Sequence, residues 1–155
     1  MKMHRTIPLF LLAAAFFALS APFEASAWRG VQKWSHDARN SVSGSPAAVN
    51  GTVVIGDSEG RLLALDKTTG ELWWTFTAGA SINGAPALLG ATLFTGGADG
   101  TLFAVDAATG REVWHFSPPE KYTPGAILSS PAAGNGRVYF NSADGKVYAL
   151  DAASG

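Results

Sequence analysis

The sequence contains no cysteine among its 155 residues. This excludes disulfide bonds, thiolate zinc sites, a cysteine nucleophile and the cysteine to which an exported lipoprotein attaches its lipid. Charged residues make up only 15% of the chain, and the formal net charge is −1. Lysine and arginine form no cluster, so the chain lacks the positive surface of a nucleic-acid-binding protein. The sequence has 18 glycines and 11% aromatic residues instead, which is typical of a turn-rich β protein.

The first 27 residues have the pattern of an export signal. Lys2 and Arg5 form a basic start, residues 7–19 are mainly apolar, and residues 25–27 read Ala-Ser-Ala. Signal peptidase accepts small residues at that spacing, so we predict cleavage before Trp28 and a periplasmic or secreted mature protein. The alternative is a membrane anchor, but the apolar run is well short of the roughly 20 residues that span a bilayer. We therefore predict no membrane span after cleavage.

The remainder, residues 28–155, is one unit that recurs. Residues 57–76 read DSEGRLLALDKTTGELWWTF, and residues 97–116, 40 positions later, read GADGTLFAVDAATGREVWHF. A third copy, SADGKVYALDAASG, ends at Gly155. A proline-led segment precedes each copy, as PAAVNGTVVIG, PALLGATLFTG and PAAGNGRVYFN. The repeats divide into units of approximately 31–70, 71–110 and 111–155.

Each unit predicts four short strands separated by turns. In the first unit, apolar runs at 46–49, 52–55, 61–66 and 71–76 are separated by segments rich in Asn, Gly, Ser and Thr. Glycine at the end of a turn supplies a positive φ, and aspartate can accept hydrogen bonds from turn amides. Four strands in about 40 residues is the spacing of a β-propeller blade. We predict an all-β propeller of about three four-stranded antiparallel blades.

An eleven-residue pattern carries a family resemblance. The pattern is Ala-x-Asp-x-x-Thr-Gly-x-x-x-Trp, which occurs twice in full and a third time in part. It resembles the tryptophan-docking motif of the PQQ-like repeat family, which includes quinoprotein alcohol dehydrogenases and the scaffold lipoprotein of outer-membrane β-barrel assembly. The matching residues are Ala64, Asp66, Thr69, Gly70 and Trp74; Ala104, Asp106, Thr109, Gly110 and Trp114; Ala149, Asp151 and Gly155; and, upstream, Trp34.

The resemblance implies that each motif tryptophan lies over the alanine and glycine positions of a neighbouring blade. An indole buries a large planar surface and needs an acceptor for its N–H. Trp34, Trp74 and Trp114 are therefore predicted to hold blades together rather than to stack on a cofactor. The resemblance leaves the activity open, because catalytic and non-catalytic members share the repeat.

The dehydrogenases of this family bind pyrroloquinoline quinone over a calcium ion, frequently beside a disulfide between adjacent cysteines. This sequence has no cysteine and no set of Glu, Asn and Asp residues that can be assigned as the calcium ligands. We therefore predict no cofactor, no catalytic residue and no metal ligand. Pyrroloquinoline quinone and calcium are expected only if the chain is part of such a dehydrogenase.

Other candidates for chemistry have simpler interpretations. His36 and His115 lack a second ligand at metal-binding spacing. Ser35, His36 and Asp37 are the residue types of a catalytic triad, but neighbours on one strand point to opposite faces. The Asp-Gly pairs at 99–100 and 144–145 are typical of hairpin turns and offer too few oxygens for calcium.

Three units are fewer than the roughly four to eight blades that close a propeller. One interpretation is a fragment of a longer propeller. The other starts from residues 31–36, which match the outer strand that the third unit lacks. That strand could pair with a second copy of the chain and form a head-to-tail ring of identical chains.

Five extra residues interrupt the repeat between Trp114 and Pro131. The insertion includes a proline-rich stretch with Lys121 and Tyr122. Insertions in repeat proteins concentrate in loops, often on the binding face, so Lys121 and Tyr122 form a candidate partner loop. A solvated linker is the alternative.

These patterns together predict an exported, non-enzymatic PQQ-like β-propeller protein that binds an unidentified protein partner as a scaffold module. The alternative is the N-terminal fragment of a PQQ-dependent dehydrogenase. The two differ in whether the chain binds the quinone and calcium.

Overall fold

The computed structural model describes residues 30–117 and 125–155. Within these ranges the chain forms eleven β-strands and no helix, and therefore no helix that could cross a membrane. The predicted export signal at 1–27 and the candidate partner loop at Lys121 and Tyr122 lie outside the described residues. Residues 33–155 form one compact unit, and residues 30–32 are assigned to a separate N-terminal unit.

The strands form three antiparallel sheets, one for each repeat. We call them blade 1, blade 2 and blade 3, and within each the strands pair in chain order. Blade 1 comprises β1 (Ala47–Val49), β2 (Thr52–Gly56), β3 (Arg61–Asp66) and β4 (Leu72–Thr77). Blade 2 comprises β5 (Ala87–Leu89), β6 (Thr92–Gly96), β7 (Leu102–Asp106) and β8 (Glu112–Phe116). Blade 3 comprises β9 (Ala132–Gly134), β10 (Arg137–Asn141) and β11 (Val147–Asp151).

The turns form where the sequence places glycine and asparagine. Asn50 and Gly51 both have positive φ, at 43° and 88°, as the two-residue turn between antiparallel strands requires. Gly60 has a φ of 79° at the end of the next turn. The strands of blade 1 begin and end within about one residue of the predicted runs, because these turns set the register.

The prediction of a strand at 31–36 is wrong: the described residues 30–38 form no strand. The equivalent strands β4 and β8 are held by hydrogen bonds to β3 and β7 of their own blades. A strand needs such a neighbour to satisfy its backbone groups, and no described strand pairs with 31–36.

The hydrophobic core lies between neighbouring blades. Side chains alternate along each strand, so Leu62 and Ala64 of β3 face blade 2. The first cluster fills the space between blades 1 and 2 and contains Val54, Leu62, Ala64, Phe76, Ile82, Leu93, Phe103, Val105 and Ala107. The second fills the space between blades 2 and 3 and contains Phe94, Leu102, Ala104, Ile127, Val138 and Phe140.

Two isoleucines project from the segments that connect the blades into spaces left by glycines. Ile82 lies against Gly56 of blade 1, and Ile127 lies against Gly96 of blade 2; both isoleucines are fully buried. A Cβ added at either glycine would lie closer than 3.0 Å to the isoleucine Cβ and Cγ2. Neither glycine has a positive φ, so close packing alone requires glycine at these positions.

Replacing Gly96 by alanine should therefore destabilise the fold by about 1–3 kcal/mol, the usual penalty for overpacking a core. Gly134→Ala is the matched control, because a Cβ at that β-strand glycine would meet nothing within 4 Å. Urea unfolding followed by circular dichroism measures both. Equal stability of the two variants would contradict this description of the interface.

Candidate functional site

Each motif tryptophan joins two successive structural units through its indole N–H. Trp34 Nε1 donates to the carbonyl oxygen of Lys67 in blade 1, at 3.0 Å. Trp74 of blade 1 and Trp114 of blade 2 donate to Ala107 and Ala152 of the next blade, both at 3.2 Å. The three contacts are equivalent, since each acceptor is the residue that follows a motif aspartate.

A glycine receives each indole ring. A Cβ added at Gly70 or at Gly110 would lie 2.6 Å from Cε3 of Trp34 or of Trp74 respectively. The φ angles of these glycines are 76° and 70°, in the region that other residues rarely adopt. Gly155 receives the ring of Trp114 in the same way, and a Cβ added there would lie 3.2 Å from Cε3 of that ring. Both the backbone angle and the approaching ring therefore require glycine.

The motif aspartate fixes the turn that offers the carbonyl. Asp66 Oδ1 accepts hydrogen bonds from the backbone N–H groups of Thr68 and Thr69, at 2.7 and 2.8 Å. Asp106 makes the same pair of bonds in blade 2, and Asp151 makes it in blade 3. In blade 2 the hydroxyl of Thr109 donates to Asp106 as well, at 2.7 Å.

These hydrogen bonds stabilise the charged carboxylates. The backbone N–H of Thr69 lowers the pKa of Asp66 below its usual value, and the side-chain hydroxyl of Thr109 is the main cause of the lowered pKa of Asp106. The backbone N–H of Ala153 is the main cause for Asp151. The three motif aspartates are thus occupied by their own turns.

The motif alanine has a different position from the one implied by the resemblance. Ala64 lies directly opposite Trp74 within blade 1, and Ala104 lies opposite Trp114 within blade 2. Ala64 and Trp74 pack into the first core cluster, whereas Ala104 faces the second, on the far side of blade 2. The expectation that the tryptophan covers the motif alanine of the neighbouring blade is wrong. Residues directly opposite each other on paired antiparallel strands share a face of the sheet, so the motif alanine lies beside the tryptophan of its own blade.

Sequence reasoning missed a buried ion pair at the end of blade 1 that lies opposite the motif turn. Asp57 is fully buried, and its Oδ2 accepts from Nε of Arg61 at 2.7 Å and contacts Nη2 at 2.6 Å. The same Nη2 donates to the carbonyl of Ala38 at 2.6 Å. The pair ties the segment before β1 to blade 1. One signal was available: Asp57 stands where the other repeats have Gly97 and Ser142.

Opposing effects act on the pKa of Asp57. Burial would raise it, but hydrogen bonds from the backbone and side chain of Arg61, from Asn40 and from the backbone of Glu59 lower it below its usual value of 3.8. The side chain is therefore a buried carboxylate with a dedicated set of donors.

A second polar cluster lies on the corresponding turn of blade 3. Asp144 Oδ2 accepts from the hydroxyl of Tyr148 at 2.6 Å and from Nζ of Lys146 at 2.9 Å. These bonds lower the pKa of Asp144 and raise the pKa values of Tyr148 and Lys146. The Tyr148 ring stacks on Phe140 with centroids 5.0 Å apart, so the cluster is anchored to the second core.

His115 has a local hydrogen-bond partner. His115 Nδ1 lies 2.7 Å from Glu112 Oε1, and both side chains are exposed. Residues three apart on a regular strand point to opposite faces, but the register shift in the pairing of β7 with β8 brings these two together. Asp37, the third member of the Ser-His-Asp sequence, accepts a hydrogen bond from the N–H of Arg39 at 2.8 Å.

A shallow groove of about 170 Å³ lies beside the Trp74 docking site. It is lined by Asn50, Thr52, Trp73, Ala91, Ala107 and Ala108. Trp73 is 54% exposed, in contrast to its neighbour Trp74. The register shift between β3 and β4 interrupts the alternation here, so Trp73 lines a groove with residues of blade 2.

Comparison with known proteins assigns the chain to a family. The sequence model of the family described as outer membrane protein assembly factor BamB, which is built from PQQ-like repeats, matches residues 23–155. The chain belongs to this family. No curated protein sequence matches it significantly.

The solved structures related to this BamB-family chain include a BamB protein and quinohemoprotein alcohol dehydrogenases, the two kinds of protein that the repeat motif resembles. BamB from Moraxella catarrhalis matches 79% of this chain with 26% identity and a TM-score of 0.68. Quinohemoprotein alcohol dehydrogenase from Comamonas testosteroni matches 73% with 29% identity and a TM-score of 0.64. The computationally designed Ika8 protein, at 23% identity and a TM-score of 0.63, shows the fold alone. The predicted PQQ-like β-propeller fold is confirmed.

The chain spans much less than the length of these proteins. It covers 37% of the Moraxella BamB and 20% of the Comamonas dehydrogenase. Its three sheets are not closed into a ring, which agrees with an incomplete propeller.

The quinone-binding relatives raise the question of whether this BamB-family chain could hold calcium. The aspartates of the turns between the two central strands of each blade do not fit that ion. The carboxylate of Asp57 already accepts hydrogen bonds from Arg61 and neighbouring groups. Both carboxylate oxygens of Asp99 accept hydrogen bonds from Thr101, and Asp144 accepts them from Lys146 and Tyr148. Among residues 30–117 and 125–155, no three His, Asp or Glu side chains form a group that could bind a metal.

The docking geometry predicts unequal effects for two adjacent tryptophans. Trp74→Ala should destabilise the fold by about 3–5 kcal/mol, because it removes a packed indole and leaves the carbonyl of Ala107 without its donor. Trp73→Ala should change stability by less than about 1 kcal/mol, because half of that side chain is in solvent. Urea unfolding of the two variants is the measurement, and the reverse order would contradict the docking role of Trp74.

The buried pair predicts a pH-dependent stability. The pKa of Asp57 is lower in the folded chain, so the carboxylate stabilises the fold above pH 3.8, and this contribution is lost as the pH falls through the folded pKa. Asp57→Asn should reduce the free energy of unfolding at neutral pH, and the deficit should shrink below pH 3.8. Urea unfolding at several pH values tests this, with the exposed Asp37→Asn as control. A deficit independent of pH would exclude the charge as its source.

Proposed function

We propose that this chain is an exported, non-enzymatic member of the BamB family that binds protein partners as a scaffold. The family description names outer membrane protein assembly, and the proposed role is a part in that process. Export rests on the sequence pattern of residues 1–27 and on membership of the family.

The observation that carries this proposal is a rigid stack of sheets with exposed apolar side chains on its outer strands. Every described motif aspartate caps a turn, and every described motif tryptophan donates to the backbone of a neighbouring blade. These residues build a rigid stack of sheets and are not available for catalysis. A rigid scaffold with exposed loops and outer strands is suited to binding other proteins.

The outer strands supply an apolar contact surface. Leu72 and Trp73 of β4 are 47% and 54% exposed, and Val113 of β8 is 54% exposed. Exposed tryptophan is enriched in protein interfaces, where it acts as a rigid anchor. The groove beside Trp73 extends this surface onto blade 2.

The second candidate is a part of a quinoprotein dehydrogenase, which the 29% identity with the Comamonas enzyme favours. Titration with pyrroloquinoline quinone and Ca²⁺ separates the two candidates. A scaffold should give no change in quinone absorbance and no reduction of an electron-accepting dye upon addition of alcohol. Saturable binding with dye reduction would establish the dehydrogenase instead.

The scaffold role has its own test in the cell that produces the protein. Deleting the gene should lower the amount of folded β-barrel protein in the outer membrane, and the wild-type gene should restore it. The double variant L72S/W73S should fail to restore it at equal protein level, whereas Val31→Ser, which also removes an exposed apolar side chain, should succeed. Normal outer membranes after deletion would exclude the assembly role.

A further inference from the structure

The outer edge of blade 1 is the strand β4 (Leu72–Thr77), which pairs with β3 on one side only. The other side of an edge strand carries backbone N–H and C=O groups that have no partner in the sheet. Among residues 30–117 and 125–155, no strand pairs with this side of β4. The inner edge of the blade offers less for pairing, because β1 has only three residues.

The hydrogen bonds at the end of β4 show which backbone groups face outward. The N–H of Asp57 donates to the carbonyl of Arg61 at 2.9 Å, so the backbone of Arg61 faces β2. The partner of Arg61 on β4 is Thr77, whose own backbone groups therefore point away from β3, to the open edge. Successive pairs alternate in direction, so Thr75 has the same orientation. The N–H of Ala78, as this alternation requires, donates inward to the turn before β3, at 2.7 Å.

The sequence of β4 does not oppose the addition of another strand. Edge strands are usually protected by charged residues, by proline or by short length. The strand reads Leu-Trp-Trp-Thr-Phe-Thr, six residues without a charge or a proline. The equivalent edge of blade 2, β8, has the protection that β4 lacks. Glu112 and His115 occupy there the positions of Leu72 and Thr75, and their exposed side chains are joined at 2.7 Å.

The side chains of β4 determine the pattern that an added strand must have. Trp74 and Phe76 pack into the first core cluster, whereas Thr75 and Thr77 are exposed on the other face. Residues directly opposite each other on neighbouring strands share a face. An added strand would therefore place apolar residues beside Trp74 and Phe76 and polar residues beside the threonines. This alternation is also the pattern of the strands in outer-membrane β-barrels.

We propose that β4 binds an extended segment of another protein, in which apolar and polar residues alternate, as a fifth strand of blade 1. Main-chain hydrogen bonds to Thr75 and Thr77 hold the segment, and its apolar residues pack beside Phe76. An unfolded strand of an outer-membrane β-barrel has this chemistry. The inference names the class of partner for the scaffold role proposed above, and it rests on that role.

Binding of a synthetic strand to the purified chain tests the inference. The probe is a fluorescent peptide of about ten residues, the length of a barrel strand, in which valine alternates with threonine. Its fluorescence anisotropy should rise to saturation with the wild-type chain. The same peptide methylated on its backbone nitrogens should not bind, because it has no N–H groups to donate. Equal binding of the two peptides, or binding of neither, would overturn the inference.

A substitution at the open edge separates main-chain pairing from side-chain contact. Thr75→Pro removes one outward N–H and leaves the pairing of β3 with β4 intact, because proline is tolerated where the N–H of an edge strand faces solvent. It should weaken peptide binding at least about tenfold. Thr75→Val is the matched control, since it keeps the N–H and the β-branched shape and should bind as wild type. Circular dichroism checks the fold of each variant, and equal affinities of the two would contradict the inference.

Transfer of the charged pair from β8 gives a second test without proline. L72E/T75H should also lower the affinity for the peptide at least about tenfold. Val31→Glu is its control, because it makes the same change of charge at an exposed residue outside the strands. In the opposite direction, E112L/H115T should open β8 and add a second peptide site to each chain. Unchanged binding by L72E/T75H, or association of wild-type chains with one another in place of peptide binding, would exclude the proposed partner.

Failure of this inference can be told apart from failure of the scaffold role. A loss of barrel protein after gene deletion, together with no peptide binding, would keep the scaffold role and overturn the fifth strand. Peptide binding that is lost in Thr75→Pro, together with normal outer membranes after deletion, would confirm the strand-binding edge and exclude the assembly role.

Discussion

The hydrogen bond from each motif indole to a turn carbonyl of the next blade is the contact on which the arrangement of sheets depends. One side chain meets two requirements: it has a broad flat surface that covers the next blade, and it has a donor for a backbone carbonyl oxygen of that blade. The turn must hold that oxygen in place and expose a flat peptide. The aspartate meets the first demand by binding two turn amides, and the glycine meets the second.

The isoleucine contacts serve the opposite end of each interface. At one end of the sheet an indole lies on glycine, and at the other an isoleucine enters the space beside a glycine. Between them, strands contribute alternate apolar side chains to a shared core. Because the core is built between blades, no blade buries its own apolar surface alone, and each depends on its neighbours for stability.

Polar side chains give individual blades distinct properties. The Asp57–Arg61 pair occurs only in the first repeat and holds the preceding segment to blade 1. The Asp144–Tyr148 cluster and the Ser129–Asn141 pair occur only in the third. These pairs distinguish the three blades from one another although the blades share one repeat.

The sequence by itself determined the number of repeats, the strands of each blade, the turns and the residues of the docking motif. Local chemistry fixes all of these, since turn glycines, aspartate caps and alternating apolar residues act within a few positions of one another. The tertiary structure decided which blade each side chain faces. The alanine proved to lie beside the tryptophan of its own blade, and Trp73 was turned toward blade 2 by a register shift.

The buried pair of Asp57 and Arg61, the contact of His115 with Glu112 and the isoleucine–glycine contacts also depended on the tertiary structure. Asp57 and Arg61 flank the local turn between β2 and β3, and the tertiary structure adds the contact of Arg61 with the carbonyl of Ala38. The other two contacts join groups whose distance is set by an irregular strand pairing or by the stacking of sheets. The irregular strand pairing and the stacking of sheets cannot be read from the order of residues along the chain. Both depend on the fit of many side chains at once.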